Sequence, residues 1–384
     1  MKKYKVAFAT GSRADYGIVR NYISKLNQDP EINFYIIATG ALLSADFGSA
    51  VDIIKKDGFC IDFADAIALK MDTIDDTCHI MAKTLSDFST YFSSNRPDLL
   101  IILGDRYEIF SISIAAAMHR IPILHLHGGE LTIANYDEFI RHSITKMSTW
   151  HFTSTLDYRK RVIQLGENPK NVYYLGALGA ENSLHINMNN VPGEIINNNF
   201  SFVVLFHPET LNENSPLEQI NEVLKGIEPF VSKYKFAFIG ANADTHANQI
   251  TKRVKDFCNN YETCVFFCNL HPDAYHYLVK KSMALIGNSS SGIIEAPTLG
   301  SYTINVGERQ TGRVKSKSIL NVNCSSKEII KAIEFIVIHK DEKITDTPYY
   351  KKDSANLYYL TTIKILHEER PKYKCFYDIN PMNI

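Results

Sequence analysis

Residues 98-DLLIILGD-105 and 121-IPILHLHGGE-130 hold two short apolar runs, and each run ends in ionisable side chains. Continuous apolar runs of this length predict strands that are buried on both faces of a parallel sheet. Residues 109–119, which lie between them, have the composition of a packed helix. Ligands of such sheets bind beyond the carboxyl ends of the strands, so we expect Asp105 and Glu130 to open into one crevice.

The same alternation of apolar strands and helical segments continues along the chain. It predicts parallel sheets with helices on both faces. Besides the two runs above, strands are predicted in the first half at 4–10, 32–39, 149–153 and 171–175, and in the second half at 201–206, 235–239, 264–267, 284–286 and 301–305.

An Asn-rich segment with a single Pro-Gly pair, residues 185–199, separates the two halves. This composition is typical of a domain boundary, which we place near residue 185. The predicted domains are therefore 1–185 and 186–384. The last helical stretch, from about residue 354, and the tail behind it are expected to pack back on the first domain.

The composition excludes several classes of protein. The 384 residues are 45% hydrophobic and 22% charged, as in soluble globular proteins, and the formal charge of -1 indicates neither a nucleic acid nor an anionic membrane as partner. No apolar run is long enough for a signal peptide or a membrane span, so the cytoplasm is the expected location. The seven cysteines are expected to be free thiols, and no cluster of residues has the spacing of a metal site.

Two segments have the residue types of phosphate-binding loops. The turn 11-GSRADYG-17 joins a predicted strand to a helix and carries Arg13, but it lacks the G-x-G-x-x-G pattern of nicotinamide cofactors. The stronger pattern is 287-GNSSSGIIE-295, where backbone N–H and hydroxyl groups can approach a diphosphate and Glu295 can accept from a ribose. The segment 308-ERQTGR-313 adds two guanidinium groups. The structural alternative is a Ser-rich cap beside an exposed basic loop.

The acidic residues after the strands have a structural alternative as well. Asp105 and Asp137 each precede a helical segment, and aspartate is a favoured N-cap. Yet three groups of ionisable residues, at 104–108, 125–130 and 137–146, fall close together in the sequence at strand ends or helix starts. This grouping favours a reaction centre.

Seven motifs, spread over both halves of the chain, resemble those of the UDP-N-acetylglucosamine 2-epimerases, and specifically of the hydrolysing branch that supplies bacterial sialic-acid synthesis. They are 11-GSRADYG-17, 104-GDRYEIF-110, 127-HGGE-130, 135-NYDEFIRHSITKMS-148, 207-HPET-210, 287-GNSSSGIIE-295 and 307-GERQTGR-313. The resemblance implies a GT-B-like α/β fold of two Rossmann-like, doubly wound parallel-sheet domains, with an active-site cleft between them. It implies that the second domain binds UDP and the first supplies carboxylates for the sugar.

The resemblance also implies a reaction. UDP-N-acetylglucosamine and water would give N-acetylmannosamine and UDP, through loss of UDP to a 2-acetamidoglucal and then hydration. This is the first step toward sialic acid of capsule or surface polysaccharide. Neither NAD nor a metal is expected, and relatives commonly form homodimers or homotetramers.

Residue roles follow from the matching motifs. The resemblance implies that Asp105 and Asp137 transfer protons at carbon 2 and at water, and that His207 stabilises the leaving diphosphate. The implied substrate-binding residues are Arg13, Asn242, His271, Ser289, Ser290, Glu295, Arg309 and Arg313.

Two positions depart from relatives of this family. Several relatives carry glutamate where this chain has His127, while Glu130 follows the Gly-Gly pair, so both residues remain candidates for a third proton-transfer role. After the second strand, non-hydrolysing epimerases have a polar stretch for a regulatory second substrate molecule, but this chain reads 39-TGALL-43. That difference favours the hydrolysing branch.

Three other functions remain open from the sequence. A hydrolysing epimerase for a UDP-2,4-diacetamido-2,4,6-trideoxy sugar would differ only at carbons 4 and 6 of the substrate. A GT-B glycosyltransferase would transfer the sugar to an acceptor and would not exchange hydrogen at carbon 2. A nucleotide-sugar sensor would keep the loop 287–295 but would not depend on Asp105.

Overall fold

The computed structural model describes residues 3–43, 50–66, 73–133, 136–209, 214–240, 247–268, 270–342, 344, 346–369 and 373–379. The chain divides into two compact units. The first unit comprises Met1–Glu130, Tyr136–Leu178 and Lys351–Ile384, and the second comprises Leu131–Asn135 and Gly179–Tyr350. The main division thus falls between Leu178 and Gly179, ahead of the boundary predicted near residue 185, and the C-terminal segment belongs to the first unit.

A seven-stranded parallel sheet forms the centre of the first unit, with the strand order β3-β2-β1-β4-β5-β6-β7. Its strands are β1 Tyr4–Thr10, β2 Ile32–Thr39, β3 Ile61–Asp65, β4 Leu99–Leu103, β5 Ile123–Leu126, β6 Trp150–Thr153 and β7 Val172–Tyr174. Its helices are α1 Arg13–Gln28, α2 Ala50–Lys56, α3 Ile74–Ser94, α4 Tyr107–Met118, α5 Asp137–Met147, α6 Leu156–Gln164, α7 Leu178–Asn182, at the boundary with the second unit, and the C-terminal helix Ser354–His367.

Burial on both faces explains why β4 reads as an unbroken apolar run. All five residues of Leu99–Leu103 are buried. Side chains of α1 and the C-terminal helix cover one face of this sheet, while α3, α4 and α5 cover the other. The C-terminal helix is also held by polar contacts, because the Tyr22 hydroxyl lies 2.7 Å from that of Thr362 and Tyr358 donates to the Gly176 carbonyl at 2.8 Å.

The second unit repeats this architecture with a six-stranded parallel sheet of order β10-β9-β8-β11-β12-β13. Its strands are β8 Phe202–Leu205, β9 Phe236–Ile239, β10 Cys264–Phe267, β11 Ala284–Gly287, β12 Tyr302–Val306 and β13 Ile319–Val322. Its helices are α8 Gly193–Ile196, α9 Pro216–Ile227, α10 Ala247–Cys258, α11 Pro272–Lys281, α12 Ser291–Ile294, α13 Ala296–Leu299 and α14 Ser326–His339; the C-terminal helix of the first unit is α15.

The predicted architecture of two doubly wound parallel sheets is confirmed. The sequence missed β3 and β13, which are both edge strands, because their alternating burial interrupts the apolar pattern. Helix α2 is described from Ala50 onward, since residues 44–49 lie outside the described part of the chain. Among the residues that the structure describes, no helix combines the length and hydropathy required to cross a bilayer.

Gly287, at the end of β11, is where the second sheet leaves least room for a side chain. A Cβ at this position would lie 1.9 Å from the carbonyl oxygen of Leu205 on β8, and the backbone φ of 142° disfavours any other residue. We therefore expect Gly287→Ala to destabilise the protein by about 4 kcal/mol or more, or to prevent folding. Urea unfolding followed by circular dichroism, together with the yield of folded protein, measures this effect.

The matched control for this substitution is Gly193→Ala. A Cβ at residue 193 would meet no atom closer than Asn197 Nδ2 at 4.0 Å. This control is expected to fold like the parent. A Gly287→Ala variant as stable as the parent would show that the contact with β8 does not constrain the sheet.

Candidate active site

His125 is a buried histidine that connects the ends of β4 and β5 to α5. Its Nε2 lies 2.8 Å from the Gly104 carbonyl oxygen, and its Nδ1 lies 3.1 Å from the hydroxyl of Thr145. Burial lowers the pKa of His125 to about 3, so the ring is neutral at physiological pH. Because a carbonyl can only accept, Nε2 carries the proton and Nδ1 accepts from the threonine. This fixed tautomer positions the loop that begins with Gly104 and Asp105.

The two glycines of 127-HGGE-130, which we call the HGGE turn, are required by close packing. A Cβ on Gly128 would lie 3.0 Å from His125 Nδ1 and 3.1 Å from Thr145 Oγ1. A Cβ on Gly129 would lie 2.6 Å from the Tyr158 carbonyl oxygen, and its φ is 82°. The Gly-Gly pair therefore lets the turn lie directly over the buried His125–Thr145 pair.

His127 and Glu130, at the two ends of the HGGE turn, face each other in the interior. The distance from His127 Nδ1 to Glu130 Oε1 is 3.4 Å, and Ser154 donates to the same carboxylate oxygen at 2.7 Å. His127 adopts a left-handed backbone with φ of 64°, a conformation that costs a non-glycine residue energy and is concentrated at functional sites.

Asp105 is oriented by an ion pair with Arg141, a residue of α5 that is 3% exposed. Neither Asp105 nor Asp137 acts as a helix cap: the N-cap position of α4 is Arg106, and Asp137 is the first helical residue of α5. Glu138, also in the first turn of α5, pairs with His142 at 3.2 Å. Asp137 and Glu138 therefore lie in the first turn of α5, where the helix dipole favours negative charge, and Arg141 of the same helix holds Asp105.

A buried charge cluster lies beneath the turn between β1 and α1. Ser12 caps α1 by accepting from the backbone N–H of Asp15 at 3.1 Å, and Arg13 is the first helical residue. Arg106 Nε lies 2.5 Å from Glu108 Oε1, and Glu108 is only 1% exposed. Burial raises the pKa of Asp15 to about 6, and the charge of Glu108 adds to this effect against the opposing charge of Arg106. The turn 11–17, which the sequence predicts as a phosphate-binding loop, thus lies against ionisable groups.

In the second unit, Asn288 joins the loop after β8 to the loop after β11. Its side-chain amide accepts from the backbone N–H of His207 at 2.7 Å and donates to the His207 carbonyl at 2.8 Å. The Asn288 carbonyl accepts from Arg309 Nη1 at 3.2 Å and from Gln310 Nε2 at 2.8 Å. These bonds bring His207 and Arg309 to the same strand ends. They join the segments 287–295 and 308–313, which we call the serine loop and the arginine loop.

Glu209, the acidic residue of 207-HPET-210, holds the arginine loop by its backbone. Its Oε1 accepts from the N–H groups of Glu308 at 2.8 Å and Arg309 at 2.9 Å. Gly307, with φ of 82°, leaves room for this carboxylate, because a Cβ there would lie 2.5 Å from Oε1. Glu209 is therefore committed to the backbone, which leaves His207 and Arg309 as the groups of these loops that suit an anion.

The serine loop is arranged by hydroxyl contacts. The hydroxyls of Ser289 and Ser291 lie 2.9 Å apart, and that of Tyr275 lies 2.5 Å from Ser291 Oγ. Burial raises the pKa of Tyr275, which keeps it a neutral hydrogen-bonding group. The helix that begins here, α12, has only four residues, so its dipole is small. Glu295, which follows α12, pairs with His276 Nε2 at 3.1 Å.

Asn242, one of the predicted binding residues, lies outside the described residues. Two others, His271 and Arg313, contact other parts of the chain. His271 caps α11, where Nδ1 accepts from the Asp273 N–H at 3.2 Å, and it follows β10, which β9 separates from β8. Arg313 donates from Nε to the Leu131 carbonyl at 3.0 Å.

Sequence reasoning missed the residues that position the site. Arg141, Glu108, Glu209 and Asn288 stand inside motifs that the sequence singled out, but no role was assigned to them. Their residue types were the signal in the sequence that could have identified them. Each is a polar or charged side chain that lies beside an apolar strand or within a helix. Among the described residues, no group of three His, Cys, Asp or Glu side chains is arranged to hold a metal ion.

Comparison with known proteins identifies the family of this chain. The model of the family described as UDP-N-acetylglucosamine 2-epimerase matches residues 24–359. The chain is 43% identical to the polysialic acid biosynthesis protein P7 of Escherichia coli, over 98% of this chain and 97% of that protein. It is 36% identical to the GDP/UDP-N,N'-diacetylbacillosamine 2-epimerase (hydrolyzing) of Campylobacter jejuni, over 84% of this chain and 85% of that protein.

Solved structures agree with the fold. The crystal structure of UDP-GlcNAc 2-epimerase from Neisseria meningitidis bound to UDP-GlcNAc superposes with a TM-score of 0.77 at 17% identity, covering 94% of this chain and all (100%) of that chain. A structure from Listeria monocytogenes gives a TM-score of 0.80 at 15% identity, over 97% of this chain and 99% of that chain. The likeness confirms the predicted GT-B-like fold.

Asp15 carries a stability cost that depends on pH. Its pKa is about 6 in the folded protein against an ordinary value of 3.8, so the folded state holds the proton more tightly than the unfolded state. The contribution of Asp15 to stability is then highest below pH 4 and falls as the pH rises through 6. We expect Asp15→Asn to stabilise the fold by on the order of 2 kcal/mol above pH 7, with the gain vanishing below pH 4.

Urea unfolding at pH values between 4 and 8 measures this effect. Asp157→Asn is the matched control, because that carboxylate is 61% exposed and pairs with a surface lysine, Lys160. The control should change stability little at any of these pH values. A pH-independent effect of Asp15→Asn would contradict the burial argument.

Proposed function

Because this chain belongs to the UDP-N-acetylglucosamine 2-epimerase family, we propose that it is a hydrolysing epimerase, which converts UDP-N-acetylglucosamine and water into N-acetylmannosamine and UDP. The observation that carries the proposal is the 43% identity, over 98% of the chain, to a protein named for polysialic acid biosynthesis. The relative named as hydrolysing, at 36% identity, supports the same branch.

Chemistry at carbon 2 of the sugar is assigned to the first unit. A base removes the weakly acidic proton of carbon 2 while the bond between carbon 1 and the diphosphate breaks, which leaves a 2-acetamidoglucal and UDP. Water then adds to carbon 1, and carbon 2 receives a proton on the opposite face. We assign these proton transfers to Asp105 and Asp137, with His127 or Glu130 as a third group. The ion pair with Arg141 supports the assignment of Asp105, because it fixes the direction of that carboxylate.

Binding of the nucleotide is assigned mainly to the second unit. We propose that His207 stabilises the leaving diphosphate and that Ser289, Ser290 and Arg309 hold its oxygens. Arg13 of the first unit is assigned to the phosphates as well. Glu295 is proposed to accept from the ribose, and Asn242, His271 and Arg313 remain candidates for contacts with the nucleotide.

The proposed reaction moves protons and transfers no hydride, so it requires neither NAD nor a resident metal in this proposal. Arginine guanidinium groups and backbone N–H donors supply the charge compensation that the departing diphosphate needs. We also propose that the chain acts as a homo-oligomer in the cytoplasm, in the route to a surface polysaccharide.

Proton NMR of the purified protein with UDP-N-acetylglucosamine in heavy water, without added metal, tests the proposed reaction. We expect free N-acetylmannosamine deuterated at carbon 2 to appear together with UDP, because the proton added at carbon 2 comes from solvent. Appearance of UDP-N-acetylmannosamine would instead place the enzyme in the non-hydrolysing branch. Sugar transfer without deuterium at carbon 2 would indicate a glycosyltransferase. Turnover of only the diacetamido substrate in a parallel sample would change the substrate.

Asp105→Asn tests the assignment of the catalytic carboxylate. This substitution keeps the shape of the side chain but removes the carboxylate that transfers a proton, so turnover should fall by about a hundredfold or more. Binding of UDP, measured by titration calorimetry, should stay within a factor of about three. Unchanged turnover would remove Asp105 from the mechanism, whereas loss of UDP binding would indicate a structural defect from leaving Arg141 buried without its partner.

A further inference from the structure

We propose that His127 is the third proton-transfer group of this enzyme and that Glu130 is a positioning residue, which acts through His127 by orienting and charging its imidazole. The inference rests on the proposed function and deepens it. The sequence left the role open between the two residues, because both are ionisable and they flank the Gly-Gly pair. The contacts of the HGGE turn distinguish them.

The first observation is that the imidazole and the carboxylate are already engaged with each other. His127 Nδ1 lies 3.4 Å from Glu130 Oε1, with side-chain exposures of 9% and 3%. Ser154 donates to the same oxygen at 2.7 Å, which fixes the carboxylate from its far side. Because Nδ1 faces this carboxylate, we assign proton exchange with a substrate to the other ring nitrogen, Nε2.

The second observation is that the backbone fixes the direction of the histidine. The N–H of His127 donates to the Phe152 carbonyl of β6 at 2.8 Å, and the residue has a φ of 64°. A left-handed conformation is disfavoured for histidine and persists where its surroundings enforce it. Here the bond to Phe152 holds the backbone of His127, and Gly128 and Gly129, which have little room for a Cβ, let the rest of the turn pack closely. The turn therefore fixes the direction of the His127 side chain at the end of β5.

The pairing of His127 with Glu130 also explains, in chemical terms, how histidine can serve in place of glutamate at position 127. A carboxylate base becomes neutral when it accepts a proton, whereas an imidazole becomes a cation. The adjacent Glu130 carboxylate compensates that cation, so the pair as a whole again goes from net negative to neutral. In the step itself, the proton moves between Nε2 and the substrate or water, and the electron pair of the broken bond stays with the atom that lost the proton.

Other ionisable groups around the turn do not replace Glu130 in this role. His125 on β5 and His142 on α5 interact electrostatically with each other and with the turn, and burial lowers the pKa of both, so they stay neutral. Arg161 of α6 donates to the Gly129 carbonyl. The Tyr358 hydroxyl on α15 has a pKa raised by burial and by the charge of Glu130, and remains protonated. Glu130 is an anion that faces the imidazole, with Oε1 at 3.4 Å from Nδ1.

A double-mutant cycle tests whether Glu130 acts through His127. The variants are Glu130→Gln, His127→Glu, which restores the residue of the relatives, and the combination of both. If Glu130 positions the histidine, Glu130→Gln should lower kcat about tenfold to a hundredfold in the parent but less than about threefold when residue 127 is glutamate. KM should change little in either case. Equal losses in both backgrounds would overturn the proposal, because Glu130 would then act on its own.

A second measurement keeps the proposal testable if the His127→Glu variant fails to fold. Titration of ¹⁵N-labelled histidine by NMR, without substrate, reports the pKa and tautomer of His127. Removing the neighbouring carboxylate should lower the His127 pKa by about one unit in Glu130→Gln, because an opposite charge at this distance favours the imidazolium. An unchanged pKa and tautomer would contradict the proposed pairing. His127→Asn, which cannot exchange a proton, should lose the turnover that His127→Glu retains.

Failure of the proposed function is recognised separately. If the parent protein forms no N-acetylmannosamine from UDP-N-acetylglucosamine, the substrate or the reaction is wrong, whatever the NMR titration shows. If the parent is active but the cycle is additive, the function stands and the pairing is wrong.

Discussion

The hydrogen bond from His125 to the Gly104 carbonyl is the contact on which the arrangement of the first unit depends. It joins β5 to the loop after β4, and the second ring nitrogen joins the same imidazole to Thr145 of α5. A neutral, buried ring with both nitrogens satisfied is rigid, since either bond could be broken only by leaving a polar group buried. Asp105 follows Gly104 directly, and Arg141 stands one helical turn before Thr145. One structural histidine thus places both members of the ion pair.

Asn288 has the equivalent task in the second unit. Its amide forms two hydrogen bonds with the backbone of His207, and its carbonyl receives Arg309 and Gln310. In both units, a buried polar side chain bonds to the backbone at the end of a neighbouring strand. The residue to which we assign the chemistry lies at that strand end. This separation of tasks allows a reactive side chain to change charge without loosening the loop that carries it.

The sequence predicted what depends on local pattern. Interior strands such as β4 form unbroken apolar runs because helices cover both faces, whereas the edge strands β3 and β13 alternate in burial and gave no comparable run. Strand-end loops with Asp105, His127 and Arg309 were found in the same way. Their supporting contacts, such as Glu209 with the N–H groups of Glu308 and Arg309, join residues about a hundred positions apart. Residue type alone does not identify such a partner.

The remaining residues that no local rule predicts are those that work against stability. A left-handed backbone favours glycine or asparagine over histidine at position 127, and a buried carboxyl with its pKa raised to about 6 favours an amide at Asp15. One substitution at each position could remove each of these costs. His127 lies in the HGGE turn after β5, and Asp15 lies in the first turn of α1, just after β1. Because such costs are concentrated at functional sites, they support the proposal that the first unit carries out the proton transfers.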